Sequence, residues 1–160
     1  MESVTTISTD YLNRFLINKL NNTKYEDFSS FKLYLLGVGL LGAMSDIPAQ
    51  VLLSESSIFV DYKGALTEQY VLQQIKPILS SIFYWSADNS SGEIDFLVQN
   101  EEEIVPIEVK AEENLQAKSL KSFIGKNPQL HGLRTSMSSY REQDWLTNVP
   151  LYGIGSCWNK

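Results

Sequence analysis

Apolar residues fall along this chain in short segments with two different periods. In DYLNRFLINKLNN, residues 10–22, Tyr11 and Phe15 pair with Leu12 and Leu16 at helical spacing behind Asp10 as N-cap, and this predicts an amphipathic helix. FKLYLL at 31–36 reads as a short strand or buried segment, and GLLGAM at 39–44 as a turn of helix that Pro48 must stop. VLLSESSIFVDYKG then leads into ALTEQYVLQQIK, a helix running to Pro77. Beyond it SIFYWSA, GEIDFLVQ and EIVPIEVK are strand-like, each bounded by Asp, Asn, Ser or Gly. LQAKSLKSFIGKN is helical, with Leu120, Phe123 and Ile124 on one side and Lys118 and Lys121 roughly opposite. HGLRTSMSS and VPLYGIG supply two further strands. The order predicts an α/β fold, a mixed sheet flanked by helices with an N-terminal helical extension. We expect one principal domain, in which a helical and linking segment at 1–60 packs on a core at 61–160.

Composition narrows the function classes. A hydrophobic content of 43% with 20% charged residues is ordinary for a globular fold, so neither long disorder nor a fibrous class is indicated. The net charge of −6 counts against a surface devoted to nucleic-acid phosphates, and only a local basic patch rescues that idea. LYLLGVGLLGAM, the most apolar run, has 12 residues, whereas a membrane span needs about 20, so no membrane partner is expected. MESVTTISTD lacks the basic and apolar regions of a secretory signal, and a single cysteine, Cys157, cannot form an internal disulfide, so the expected compartment is the cytoplasm. Neither Cys157 nor the lone His131 has Cys or His neighbours at ligand spacing, which argues against zinc and Cys/His catalysis. Gly37, Gly39 and Gly42 spell G-x-G-x-x-G, the dinucleotide pattern, but Pro48 follows too soon for the long helix that a pyrophosphate needs. Close packing or a turn is the expected role of these glycines. No G-x-x-x-x-G-K-[ST] occurs, so the chain has no P-loop.

The chemistry concentrates in GEIDFLVQNEEEIVPIEVK, residues 92–110. Strand alternation puts Ile94, Phe96 and Val98 on one face and Glu93, Asp95 and Leu97 on the other. In the second strand Val105, Ile107 and Val109 form the apolar face, with Ile104, Pro106, Glu108 and Lys110 behind it. An antiparallel hairpin turning at Glu101-Glu102, or over residues 100–103, pairs Ile94 with Val109, Phe96 with Ile107 and Val98 with Val105. The same register sets Asp95 opposite Glu108, with Cβ atoms about 5 Å apart. Facing carboxylates repel unless solvated, protonated or bridged, and Mg²⁺ or Mn²⁺ takes such oxygen ligands. Glu68 shares a helix side with Val71, Leu72 and Ile75, which aims a third carboxylate at the sheet. The competing reading is an ordinary hairpin whose outward Asp95, Glu108 and Lys110 form solvated ion pairs.

Asp95, Glu108 and Lys110, spaced D-x12-E-x-K behind Glu68, resemble the PD-(D/E)XK nuclease superfamily, whose core is the restriction-endonuclease-like fold; Ile94 stands where the namesake motif has proline. The succession FKLYLLGVGLLGAM, KGALTEQYVLQQI, FYWSADNSSGEIDFLV, VPIEVKAEENLQAKSLKSF and RTSMSSYREQDWLTNVPLYGI resembles the uncharacterised C-terminal domain of bacterial AAA-type ATPases over about residues 28–156. Gly37 departs from that family, which often has aspartate there. The resemblance implies a nuclease-like module joined to an N-terminal P-loop half that binds ATP and is not contained in these residues, so the chain is expected to be the C-terminal part of a larger protein. It further implies Mg²⁺-dependent phosphodiester hydrolysis on DNA. Asp95, Glu108 and Glu68 would hold metal, and Lys110 would complete the catalytic set. Lys118, Lys121 and Lys126 are the candidate phosphate contacts, or else solvated helix lysines. The alternative is a non-catalytic nucleic-acid-binding or regulatory module of the ATPase.

Overall fold

The computed structural model describes residues 14–20, 26–46, 57–87, 92–100, 103–112 and 116–158. Asp10, Pro48 and the Glu101-Glu102 turn lie outside these residues. The strands are β1 (Arg14–Leu20), β2 (Glu26–Leu35), β3 (Ser81–Ser86), β4 (Glu93–Asn100), β5 (Glu103–Val109), β6 (Gly132–Ser136), β7 (Arg141–Gln143) and β8 (Leu146–Pro150). They form one mixed sheet in the order β2-β1-β3-β4-β5-β6-β8-β7. Six strands make its body, and the β1–β2 hairpin joins through a single parallel pairing of Lys19 with Tyr84. The helices are α1 (Val38–Met44), α2 (Ser57–Ile75) and α3 (Lys118–Lys126), and a 3-10 helix spans Leu151–Trp158.

The α/β class and the central helix and strands are as the periodicities predict, and two expectations need correction. The expected helix over 10–22 is a strand wherever it is described, because Arg14–Leu20 pairs along its length with Leu35 back to Glu26. Its apolar spacing suits either period, and pairing with the following strand decides between them. The expected extension is therefore a β-hairpin here. VPLYGIG is a strand only through Pro150; the rest coils into the 3-10 helix that packs Ile154 into the core.

The two faces of the sheet carry separate apolar clusters. On one, Val71, Leu72 and Ile75 of α2 meet Phe96, Val98, Ile107, Val109, Leu133 and Val149. Burying each of those three helix side chains contributes roughly 1.5–3 kcal/mol. On the other face, Leu120 and Ile124 of α3 meet Ile94, Leu97 and Leu146. Helix α3 is the crossover between the parallel strands β5 and β6. It sits so close that a Cβ on Gly132 would lie 3.2 Å from Leu120 Cδ2. Pro106 is accommodated because β6 pairs only with Ile107 to Val109, so no parallel ladder bond is asked of the proline nitrogen. Of the three glycines at 37, 39 and 42, only Gly37 is tightly packed, with Gln73 Oε1 3.0 Å from where a Cβ would lie; the helix that follows has seven residues.

Gln69 anchors β2 to the body of the molecule. Its carboxamide accepts from Leu35 N–H at 2.8 Å and donates to Leu35 C=O at 2.7 Å, replacing a neighbouring strand. At 1% exposure it has no access to water as a substitute partner. Gln69→Leu is expected to leave both Leu35 backbone groups without their partner and to cost about 2–4 kcal/mol in urea unfolding, with faster amide exchange at Leu35.

Candidate functional site

The site grows from a break in the β4 pleat. Phe83 pairs with Leu97 but Trp85 pairs with Ile94, so Tyr84 is opposed by two residues, Asp95 and Phe96. This is a β-bulge, and it interrupts the strict alternation. Ile94 and Leu97, three positions apart, both pack against α3, whereas Phe96 and Val98 face α2. Ile94 therefore does not share a face with Phe96 as alternation alone predicts. Asp95 comes to the α2 side beside Glu68, whose charge is the second largest influence on it after burial.

On the partner strand the expected register holds where pairs form, with Phe96 opposite Ile107 and Val98 opposite Val105. Pairing of Asn100 with Glu103 selects the shorter of the two expected turns. The ladder ends at Phe96 and Ile107, one step before Asp95 and Glu108 would face each other. There Asp95 Oδ2 instead accepts a hydrogen bond from Val109 N–H at 2.7 Å. Since Ile107 and Val109 face α2, alternation turns Glu108 the other way, beside Arg134, its parallel partner on β6. Lys110 Nζ meets Glu108 Oε1 at 2.6 Å, while Glu108 Oε2 is buried with no hydrogen-bond partner.

Sequence reasoning missed three members of this cluster, namely Lys32, Tyr34 and Glu93. Glu68 Oε2 accepts from the Tyr34 hydroxyl at 3.0 Å and lies 3.6 Å from Lys32 Nζ, which also pairs with Glu93. Lys32 stands over the Tyr84 ring, 5.3 Å from its centroid. The available signal was FKLYLL itself, where Lys32 and Tyr34 alternate with Phe31, Leu33 and Leu35. The apolar set invites an inward assignment, yet Phe31 and Leu33 are exposed while Lys32 and Tyr34 turn toward Glu68.

Electrostatics follow from this packing. Burial, then Glu68 and Glu108, push the Asp95 carboxyl up from 3.8 to about 7, against the Val109 hydrogen bond and Lys32. Burial and Glu68 also raise the Tyr34 phenol. Burial pulls Lys32 down, but Glu68, Glu93 and Asp95 together outweigh it, so its pKa is raised. The structure thus brings Asp95, Glu68, Lys32, Tyr34 and Glu93 together, with Glu108 and Lys110 adjacent. Among the described residues, no three His, Cys, Asp or Glu side chains gather in a way that could hold a metal ion. Lys118 and Lys121 lie apart, lining a cleft beside α3. Lys126 closes the last turn of that helix. His131 is exposed and bonds Thr147 Oγ1 at 2.9 Å, and Cys157 is a half-buried free thiol.

The fold and site define a mixed α/β domain with a charge-crowded, partly buried acidic cluster at the end of its central hairpin. The chain belongs to the family described as a domain of unknown function, DUF4143, whose model matches residues 63–153. Glu68, Asp95, Glu108 and Lys110 all fall within the match. No match to a curated protein was found. No helix among the described residues is long and apolar enough to cross a membrane.

A carboxyl raised in the folded state keeps its proton where the unfolded chain has lost it, so stability falls as pH rises from about 4 to about 7. Asp95→Asn is therefore expected to stabilise the protein at pH 8. The gain should be of order 2 kcal/mol, below the full linkage value because the side chain keeps some solvent contact, and it should vanish near pH 4. Thermal midpoints of the two proteins across that range check it; a pH-independent difference would refute it.

Proposed function

We propose that this domain binds a divalent cation and hydrolyses phosphodiester bonds in DNA, as the C-terminal module of a AAA-type P-loop ATPase with a restriction-endonuclease-like core. The observation that carries the reading is the gathering at one end of the hairpin of Asp95, hydrogen-bonded to Val109 N–H, with the buried Glu108 and with Glu68, whose charges both bear on it. Folding alone gives no reason to bury carboxylates in each other's field. Glu108 Oε2, buried without a partner, is a vacant acceptor of the kind a cation satisfies. A Mg²⁺ or Mn²⁺ ion would be held by Asp95 and Glu108, which reach the end of the hairpin from opposite sides of the sheet, since magnesium usually takes one or two carboxylates and leaves its other positions to water and substrate. Glu68, already committed to Tyr34 and Lys32, would act from behind this pair. When bound, such an ion supplies electrophilic polarisation of the phosphate and a nucleophile from water at neutral pH.

The chain's own groups supply the rest. Lys110, held at Glu108, presents an ammonium that stabilises negative charge building on the phosphate oxygens. Asp95 titrates near neutrality, so it can hold or release a proton at working pH. Lys32 pairs with both Glu68 and Glu93 beside it. The resemblance to the ATPase C-terminal domain and to PD-(D/E)XK nucleases supports the substrate class and the parent protein.

One observation favours a second reading, a non-catalytic nucleic-acid-binding or regulatory module. Lys32 and Lys110 already neutralise Glu68 and Glu108, as in a purely structural charge network. Calorimetric titration with Mg²⁺ and Mn²⁺ separates the two. Under the nuclease reading the wild type binds metal, Asp95→Ala abolishes binding, and affinity falls by about tenfold per pH unit below about 7 as Asp95 takes up its proton. Divalent-dependent nicking of plasmid DNA should disappear in Asp95→Ala and Lys110→Ala. Absence of metal binding in the wild type, or binding indifferent to Asp95→Ala, sinks the nuclease reading in favour of the second.

A further inference from the structure

Across the sheet from Glu68, a cleft of about 240 Å³ opens between α3 and the β7–β8 edge. Four cationic side chains line it: Lys118 and Lys121 from α3, Arg134 from β6 and Arg141 from β7, with Trp145 among the walls. Arg141 and Gln143 both line it, as alternation along β7 requires, which leaves Glu142 on the reverse face. The two lysines and Arg141 are exposed at the rim, while Arg134 is 2% exposed.

Arg134 is costly to place there. Burial and the nearby Arg141 both work against its charge, and Glu108 only partly offsets them. A dedicated network nonetheless holds it. Arg134 Nε donates to Asn148 Oδ1 at 2.9 Å, and the same oxygen accepts from Ser136 Oγ at 2.9 Å. Asn148 is itself buried and fixed by donating to the carbonyls of Ser138 and Ser139 at 3.3 and 2.9 Å. A core needs none of these polar groups, and apolar residues of similar volume would serve stability as well or better. Helix α3 adds its N-terminal end, where Ala117 and Lys118 line the cleft and Ala117 offers no side-chain cap.

We infer that this cleft is a phosphate subsite: the exposed guanidinium of Arg141, with Lys118 and Lys121 at the rim and the buried charge of Arg134 beneath them, receives a backbone phosphate of a nucleic-acid strand whose neighbouring phosphate reaches Lys110. This rests on the reading of DNA as substrate and specifies how the strand is held. Guanidinium is suited to the task because its planar fork matches two phosphate oxygens at once. The location is favourable because Arg134 and Glu108 are paired neighbours on adjacent strands, so the cationic cleft adjoins the Glu108–Lys110 pair. It also resolves the conflict between a net charge of −6 and a polyanionic partner, since the needed cations are gathered in one place.

The test separates binding from cleavage. A fluorescein-labelled single-stranded oligonucleotide is titrated in EDTA with wild type and with the double variant Lys121→Gln, Arg141→Gln. Both substituted cations are exposed, and matching circular dichroism with an unchanged thermal midpoint checks that the double variant is folded. The double variant should bind at least about tenfold more weakly, with the slope of log affinity against log salt shallower by about 0.7–1 for each cation that no longer meets a phosphate. Inorganic phosphate should compete with the oligonucleotide and shift the Trp145 indole resonance in wild type only. Equal DNA binding by the double variant, or no DNA binding by wild type, overturns the subsite. Phosphate binding in the cleft without DNA binding overturns it too, in favour of a small phosphorylated ligand. Loss of divalent-dependent nicking with cleft binding intact would remove the hydrolytic reading and leave the subsite standing.

Discussion

The hydrogen bond from Val109 N–H to the Asp95 carboxylate sits where three demands on the chain meet. Strand β4 stops pairing with β5 there, β5 is engaged with β6 on its other edge, and the bulge opposite Tyr84 has changed the face of Asp95. A carboxylate oxygen satisfies a backbone donor that the shortened antiparallel ladder leaves behind. It does so while bringing a negative charge into the field of Glu68 and Glu108. An apolar residue at position 95 would suit the core and abandon the donor; an asparagine would keep the bond and discard the charge. The sequence has the charged option, and the surroundings answer it with Lys32, which gathers Glu68 and Glu93 as well.

Much of this was legible before the structure. The hairpin register between Phe96 and Val105 follows from apolar pairing alone, because a one-residue slip would expose every core side chain. Glu68 stands out for the reason that it mattered, a charge on the stripe of Val71, Leu72 and Ile75. The bulge was not legible. GEIDFLVQ contains no glycine or proline at the break, and the extra residue is defined only against Tyr84 on a neighbouring strand. Without it, alternation sends Asp95 and Glu108 to the same face; with it, they approach the end of the hairpin from opposite sides. Lys32 and Tyr34 escaped for a related reason. On a strand with apolar residues at 31, 33 and 35, composition cannot say which set turns inward, and a carboxylate on a distant helix decides it.

The N-terminal strands illustrate the same limit at larger scale. Residues 14–20 satisfy a helical pattern tolerably, but β2 offers a complete antiparallel partner, and Gln69 fixes β2 to α2 through both backbone groups of Leu35. Propensity is a local quantity, whereas the Leu35–Gln69 bonds span 34 residues of sequence. Lys32 and Tyr34 therefore reach Glu68 only because a buried carboxamide holds their strand against the helix. They also lie outside residues 63–153, so the part of the chain that matches the family meets its acidic cluster with partners from beyond the match.

Charge is sorted by the sheet. On the α2 side, Glu68, Asp95 and Glu93 surround one lysine; on the α3 side, Lys118, Lys121, Arg134 and Arg141 share a cleft. Random placement on a chain of net charge −6 would scatter cations among the more numerous acids. Here the two signs lie on opposite faces of one sheet, with the Glu108–Lys110 pair beside Arg134 between them. Each arrangement opposes stability, since like charges are crowded and an arginine is buried. Features that folding resists and yet holds with specific hydrogen bonds are where a chain departs from what packing alone would select. In this domain both departures lie at the same end of the same hairpin.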